Sequence, residues 1–190
     1  MNNIKTFENF NNQDIFTYVE DGNIQLVKNY INSGYDLNIQ NYNDDGYTPL
    51  IYAILKDNIE IVELLLNAGA DLNIQDIHGD TALIFAVKNL EIVKLLLDSG
   101  ADIDKQNNKG YTALTAAASN NNLEVVEFLL DYHADEFILN NLNSSFYDLL
   151  NNKNKEYFLN EYPNKVYNAI SHWYKKPFTE FVKDFKLKIN

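Results

Sequence analysis

Four 18-residue segments of this chain align without a gap: IQLVKNYINSGYDLNIQN (24–41), IEIVELLLNAGADLNIQD (59–76), LEIVKLLLDSGADIDKQN (90–107) and LEVVEFLLDYHADEFILN (123–140). Their starts lie 35, 31 and 33 residues apart, a mean of 33. This period constrains the fold more than any other feature. A unit of this size cannot bury its apolar face alone, so neighbouring units must stack to cover one another. The departures from the mean are a two-residue insertion in the loop 41–45 and a two-residue deletion between Ala86 and Glu91.

A second block precedes each of the last three segments: GYTPLIYAI (46–54), GDTALIFAV (79–87) and GYTALTAAA (110–118). Thr48 suits a helix cap, and Pro49 suits the first helical turn, where no amide donor is needed. Ala53, Ala86 and Ala117 are small enough for a neighbouring helix to approach closely. In the longer segment Ile61, Val62, Leu64, Leu65 and Leu66 are apolar around most of a helix and must be covered on more than one side. Gly69 and Gly100 end these helices.

The unit G-x-T-P-L-x-x-A…E-I-V-x-L-L-L-x-x-G-A-D-x-N resembles the ankyrin repeat, a turn plus two helices of about 33 residues. The resemblance covers Gln13 to about Asn143. It implies an all-α solenoid of helix-turn-helix repeats with short β-hairpin-like turns. The expected division is an N-terminal segment 1–12, repeats over 13–162, and a C-terminal amphipathic helical tail over 163–190. Within the array the units are 13–41 (capping), 42–76, 77–107, 108–140 and a degenerate fifth over 141–162, where Ser145 to Leu150 and Glu156 to Tyr162 stand in for the two helices.

The chain departs from the family pattern in two ways. The family often carries a His after Thr-Pro-Leu that ties repeats together. Ile51, Ile84 and Thr115 occupy that position here, so apolar packing is expected to replace the network. The Gly that should end the fourth long helix is His133, a residue that enters the left-handed region at some cost. The family's Asp-x-Asn turn can be hydroxylated on its Asn, and Asn38 and Asn73 match that position. A turn Asn bonding its own backbone explains both without modification. The many other Asn residues read as neutral filler in a chain biased toward AT-rich codons.

Composition excludes several function classes. With no Cys among 190 residues, disulfides, thiolate catalysis and Cys-based metal sites are absent, which fits a reducing, cytoplasmic location. No apolar run reaches the roughly 20 residues of a membrane span, and 1–16 has no signal-type apolar core. The net charge is −12, and residues 1–162 carry nine Lys against 25 acidic residues. Every basic residue is Lys, so the guanidinium fork that reads phosphate and guanine is missing. This argues against nucleic acid and for a protein partner with a basic surface.

Catalytic chemistry has little to stand on. His78, His133 and His172 show no metal-ligand spacing, and they read as surface or capping residues. Asp44-Asp45 and Asp102-Ile103-Asp104 lack the alternating ligands of a calcium loop, and the glycines form no phosphate cradle. No catalytic residue, metal or cofactor is assigned.

In ankyrin repeats the concave face, made by fingertip turns and first helices, is the usual binding surface. Repeat phase places Tyr42, Asn43, Asp44, Asp45, Ile77, His78, Asn108 and Lys109 at the fingertips. Tyr47, Asp80 and Tyr111 follow each turn glycine. Tyr52, Phe85 and Ala116 lie on the first helices, with Leu55 one turn further. Aromatic and apolar side chains ringed by carboxylates have the composition of a binding hot spot. The expected function is a non-catalytic, monomeric protein–protein interaction module, such as an acidic adaptor or inhibitor of a basic target. A microbial or viral effector and a self-associating scaffold are the alternatives.

The tail carries two helical patterns. Val166, Ile170, Trp173 and Tyr174 form one; Phe178, Phe181, Val182 and Phe185 form the other. These aromatics suit a cover for the open end of the stack. Lys175, Lys176, Lys183, Lys186 and Lys188 suggest a membrane-surface or partner contact as the alternative.

Overall fold

The computed structural model describes residues 14–171 and 174–184. The described residues form twelve helices: α1 (Asp14–Glu20), α2 (Ile24–Asn32), α3 (Pro49–Leu55), α4 (Ile59–Asn67), α5 (Ala82–Ala86), α6 (Leu90–Asp98), α7 (Ala113–Ser119), α8 (Leu123–Asp131), α9 (Phe146–Leu149), α10 (Asn152–Glu161), α11 (Pro163–Ile170) and α12 (Phe178–Asp184). The expectations for 1–13, His172, Trp173, Phe185, Lys186 and Lys188 lie outside the described residues. The chain is an all-α repeat fold. Among the described residues extended pairing is confined to one bridge, Asn41 with Tyr47.

Odd-numbered helices α1 to α9 contact one another in one row, and α2, α4, α6 and α8 form a second. The small residues explain the close first row. Ala53 and Ala117 are fully buried and Ala86 nearly so, and no larger side chain holds the axes apart. Between the rows lie Ile61, Val62 and Leu65 of α4 with their counterparts Ile92, Val93 and Leu96, then Val125, Val126 and Leu129, all fully buried.

Helix starts follow the repeat phase. Hydroxyls of Thr48, Thr81, Thr112 and Ser145 accept from the amides of Ile51, Ile84, Thr115 and Asp148, capping α3, α5, α7 and α9. Thr115, at the family's His position, returns its hydroxyl to Thr112 and completes a reciprocal box. Asn23, Asn58, Asn89, Asn122 and Asn151 cap α2, α4, α6, α8 and α10 in the same way. These asparagines are therefore not filler. Each satisfies a donor that the first helical turn leaves open.

Three ladders join the repeats. Asn38 Oδ1 accepts from Asp71 N, Asn73 Oδ1 from Asp102 N, and Asp104 Oδ1 from Asp135 N, at 2.8, 2.9 and 2.9 Å. The turn asparagines thus bond the next repeat. Bonding within the turn falls to Asp36 and Asp71, which accept from the amides of Asn38 and Asn73. Gln40 Nε2 donates to Gly46 O and Gln75 O. Gln75 and Gln106 repeat this one and two units on, ending at Leu139 O. Fingertip backbones form the third ladder, with Ile77 N on Asp45 O, Asn108 N on His78 O and Asn141 N on Lys109 O. At the family's His position Ile51 is fully buried and Ile84 packs against the core, so apolar packing stands there while the polar ladders join the repeats at their turns and fingertips.

His133 does take a left-handed φ of 68° after α8. Beyond it, α9 is a single turn, and α10 starts at Asn152, earlier than the sequence pattern suggested. Pro163 opens α11, which packs on α9 and α10 and buries Val166, Ala169 and Ile170. Glu136 anchors α11, accepting from Lys165 Nζ at 3.4 Å and Asn168 Nδ2 at 2.8 Å. Helix α12 rests on α11 through Phe178 and Phe181, whose rings lie 5.2 and 5.5 Å from that of Tyr167. No helix among the described residues is long and apolar enough to cross a membrane.

Candidate protein-binding face

The fingertip ladder and the row of first helices place the sequence-selected residues along one face. Three apolar side chains stand out from it: Tyr42, Ile77 and Leu55, exposed by 73%, 52% and 48%. Tyr42 is oriented by its hydroxyl, which donates to Gln40 Oε1 at 2.9 Å. Asp44, His78, Asn108 and Lys109 are exposed, and Asp45, Asp80, Tyr47, Phe85 and Tyr111 are half-buried. Asn108 is committed to the ladder through its amide and its Nδ2, which donates to Ile77 O. His78 Nε2 lies 4.0 Å from Asp45 Oδ1.

Tyr52 corrects the expectation of exposure. Only 7% of it is accessible. Helix α1 brings Phe16 to a ring distance of 5.2 Å, and Tyr47 stands edge-on at 5.8 Å. Its hydroxyl donates to Asp44 Oδ2 and accepts from Asn41 Nδ2. Burial, then the Asp44 carboxylate, push the phenol up to about 12. Tyr47 continues the row, edge-on to Phe85 at 5.3 Å. Burial, and after it Asp45, Asp76 and Asp44, raise its phenol too. These rings therefore form a packed wall along the face. Asp44 accepts from the Tyr52 hydroxyl and Asp45 from that of Tyr47, so the wall carries negative charge along its edge.

Sequence reasoning missed a groove of about 820 Å³ beside that wall. Helix α5 has five residues where α3 and α7 have seven. The last two helical residues are lost, and the space they would fill lies open between Leu55 of α3 and Ala116 of α7 with its C-cap Asn120. Ile84, Phe85, Lys88, Asn89 and Glu124 also line it. The signal was present in the sequence as the two-residue deletion after Ala86.

Asp76 is a second feature the pattern did not reveal. Its Oδ1 accepts from His78 N and Asp80 N, at 2.9 and 2.7 Å. Its Oδ2 is buried without a partner among the described residues. Asn41, Asn107 and Asn140 hold the same repeat position. Burial pushes the Asp76 carboxyl above its usual range, although the two amides pull it down. Among the described residues no group of three or more His, Cys, Asp or Glu is placed to hold a metal ion.

The family model for ankyrin repeats (3 copies) matches residues 15–107 and 78–140. A search of curated proteins found no match. Repeats of this kind generally serve as protein–protein interaction modules and are typically not enzymes. The matched residues span the capped helix pairs, the fingertip ladder and the exposed face they support, and on that ground the chain belongs to the ankyrin repeat family.

Proposed function

We propose that this chain is a non-catalytic binding module that takes a partner with a basic surface on the face made by its fingertips and first helices, acting as an acidic adaptor or inhibitor. The observation that carries this reading is the exposure of Tyr42, Ile77 and Leu55 on the same fingertips and first helices that carry the carboxylates of Asp44, Asp45 and Asp80. Exposed rings and aliphatic side chains supply contact area, and the carboxylates speed encounter with a cationic surface and orient it. The surplus of 16 negative charges over residues 1–162 extends that field beyond the face.

The test is affinity capture from the source lysate with the wild type and with a Tyr42→Ala, Leu55→Ala, Ile77→Ala variant of unchanged helicity. All three side chains are exposed, so folding should survive. A protein retained by the wild type and lost by the variant, with retention falling as salt rises, supports the reading. Equal retention by both proteins rejects this face, and retention indifferent to salt rejects the electrostatic part.

A further inference from the structure

The groove beside α5 follows from a shortening of the third repeat. Between the recurring Ala and the capping Asn, the second repeat has Ile54, Leu55, Lys56 and Asp57, whereas the third has only Val87 and Lys88. Asp57 and Asn121 take left-handed φ values of 55° and 54° at the equivalent turn. The third repeat lacks that residue, and Asn89 N closes the turn directly on Ala86 O at 2.8 Å. The shortened turn is held firmly. Asn89 Nδ2 donates to Asp57 Oδ1 at 2.6 Å, and Asn122 Nδ2 to Val87 O at 2.9 Å. The groove is thus built into the repeat frame, not left by a loose loop.

Its chemistry is two-sided. Leu55, Ile84, Phe85 and Ala116 give it apolar walls. Asp57, Asp80, Glu91 and Glu124 surround them, with Lys88 as the sole base of the lining. The ion pairs formed among the described residues use none of these four carboxylates. Asp57 and Asp80 accept only from neutral amides, those of Asn89 and Asn107. Four carboxylates against one lysine, none of the four ion-paired among the described residues, match a segment that brings its own cations and an apolar side chain. The volume lies within the roughly 300–1,000 Å³ of sites that enclose a bound group.

We infer that this groove is the anchor pocket for a basic segment of a partner protein, one that seats an apolar side chain against Leu55, Ile84 and Phe85 and sets Lys or Arg residues beside Asp57, Asp80, Glu91 and Glu124. The inference rests on the binding reading above and adds where the anchor sits and which chemistry it selects.

Random peptides displayed on phage, selected against the full chain at low salt, provide the probe. The selected peptide is then titrated by fluorescence polarisation against four proteins. These are the wild type, a groove-closing variant with Asn-Gly inserted between Lys88 and Asn89, Leu55→Gln, and Tyr42→Ala with Ile77→Ala. The expected peptides carry a Leu, Ile or Phe flanked by Lys or Arg. Their affinity should fall at least tenfold on closing the groove and on Leu55→Gln. If the insertion disturbs folding, Leu55→Gln decides alone, because that side chain is exposed. Peptides without basic residues, or binding indifferent to Leu55→Gln, overturn the inference. Binding lost only with the Tyr42 and Ile77 variant overturns the groove and leaves the wider face standing. Selection of no peptide overturns the groove as well, while lysate capture still judges the face.

Discussion

Gly110 and Gly69 both take left-handed backbone, at φ values of 77° and 84°, but their surroundings differ. A Cβ on Gly69 meets nothing within 4 Å. On Gly110 it would lie 2.6 Å from Asn141 Oδ1 and 2.8 Å from Asn141 N. Substituting Ala at either position incurs the left-handed penalty of about 1–2 kcal/mol. At Gly110 the clash must also displace Asn141, whose amide donates to Lys109 O and whose Nδ2 donates to Asn108 O, each at 2.9 Å. Two such bonds are worth about 0.5–1.5 kcal/mol each. Gly110→Ala should therefore cost about 2–5 kcal/mol against about 1–2 kcal/mol for Gly69→Ala. The stiffening of the unfolded chain by Ala is common to both and cancels from the comparison. Urea unfolding followed by circular dichroism gives the two losses. Hydrogen exchange at the Asn141 amide shows whether the ladder has opened, which matters because repeat arrays can unfold in parts. Equal losses with an undisturbed Asn141 amide would show that the neighbouring finger gives way freely, and that the ladder does not set the spacing of the binding face.

Three further outcomes are expected. Asn58→Ala removes one helix cap and should cost about 1 kcal/mol, whereas Asn122→Ala also removes the bond to Val87 O and should cost about 2 kcal/mol, both by urea unfolding. Asp76→Asn removes the charge from a buried carboxylate with an unpartnered oxygen and should stabilise the fold by about 1 kcal/mol at neutral pH. Because the folded-state carboxyl is raised, the wild type recovers stability as pH falls through that raised value, so the variant's advantage shrinks toward the ordinary carboxylate range. Glu136 behaves in the opposite sense. Burial pushes its carboxyl up, but Asn168, its own backbone amide and Lys165 outweigh burial and hold it below the usual value. The stabilisation it gives α11 is complete above the ordinary carboxylate pKa and is lost as pH falls through the lowered one, so hydrogen exchange of α11 should quicken in acid, and Glu136→Gln should abolish that dependence.

Repeat periodicity was legible without coordinates because it is written in side-chain types at fixed spacing. Thr48, Thr81 and Thr112 announced first helices, and the Leu-rich segments announced second helices that had to be covered from two sides. The capping asparagines were equally visible in phase. They were read as filler because a composition rich in Asn hides the positions where its side chain is required. The deletion after Ala86 was also visible as a number, but not as a groove. A groove depends on what neighbouring repeats do with the missing turn, and that depends on contacts some 30 residues away along the chain.

Tyr52 shows the same division. Its phase placed it on the first helix of its repeat, and the sequence settled that much. Whether its ring faces solvent depended on Phe16, which belongs to a different repeat with only half the consensus. Asp76, in register with asparagines, likewise kept one buried carboxylate oxygen without a partner among the described residues only when the fingers stacked around it. Local patterns thus determined the elements, their caps and their order, because these rest on interactions between residues a few positions apart. Tertiary structure decided which aromatics remain exposed, where the face opens into a groove and which carboxylates go without an ion pair among the described residues. Each of those depends on how closely separate repeats approach, and side-chain identity within one repeat does not contain that distance.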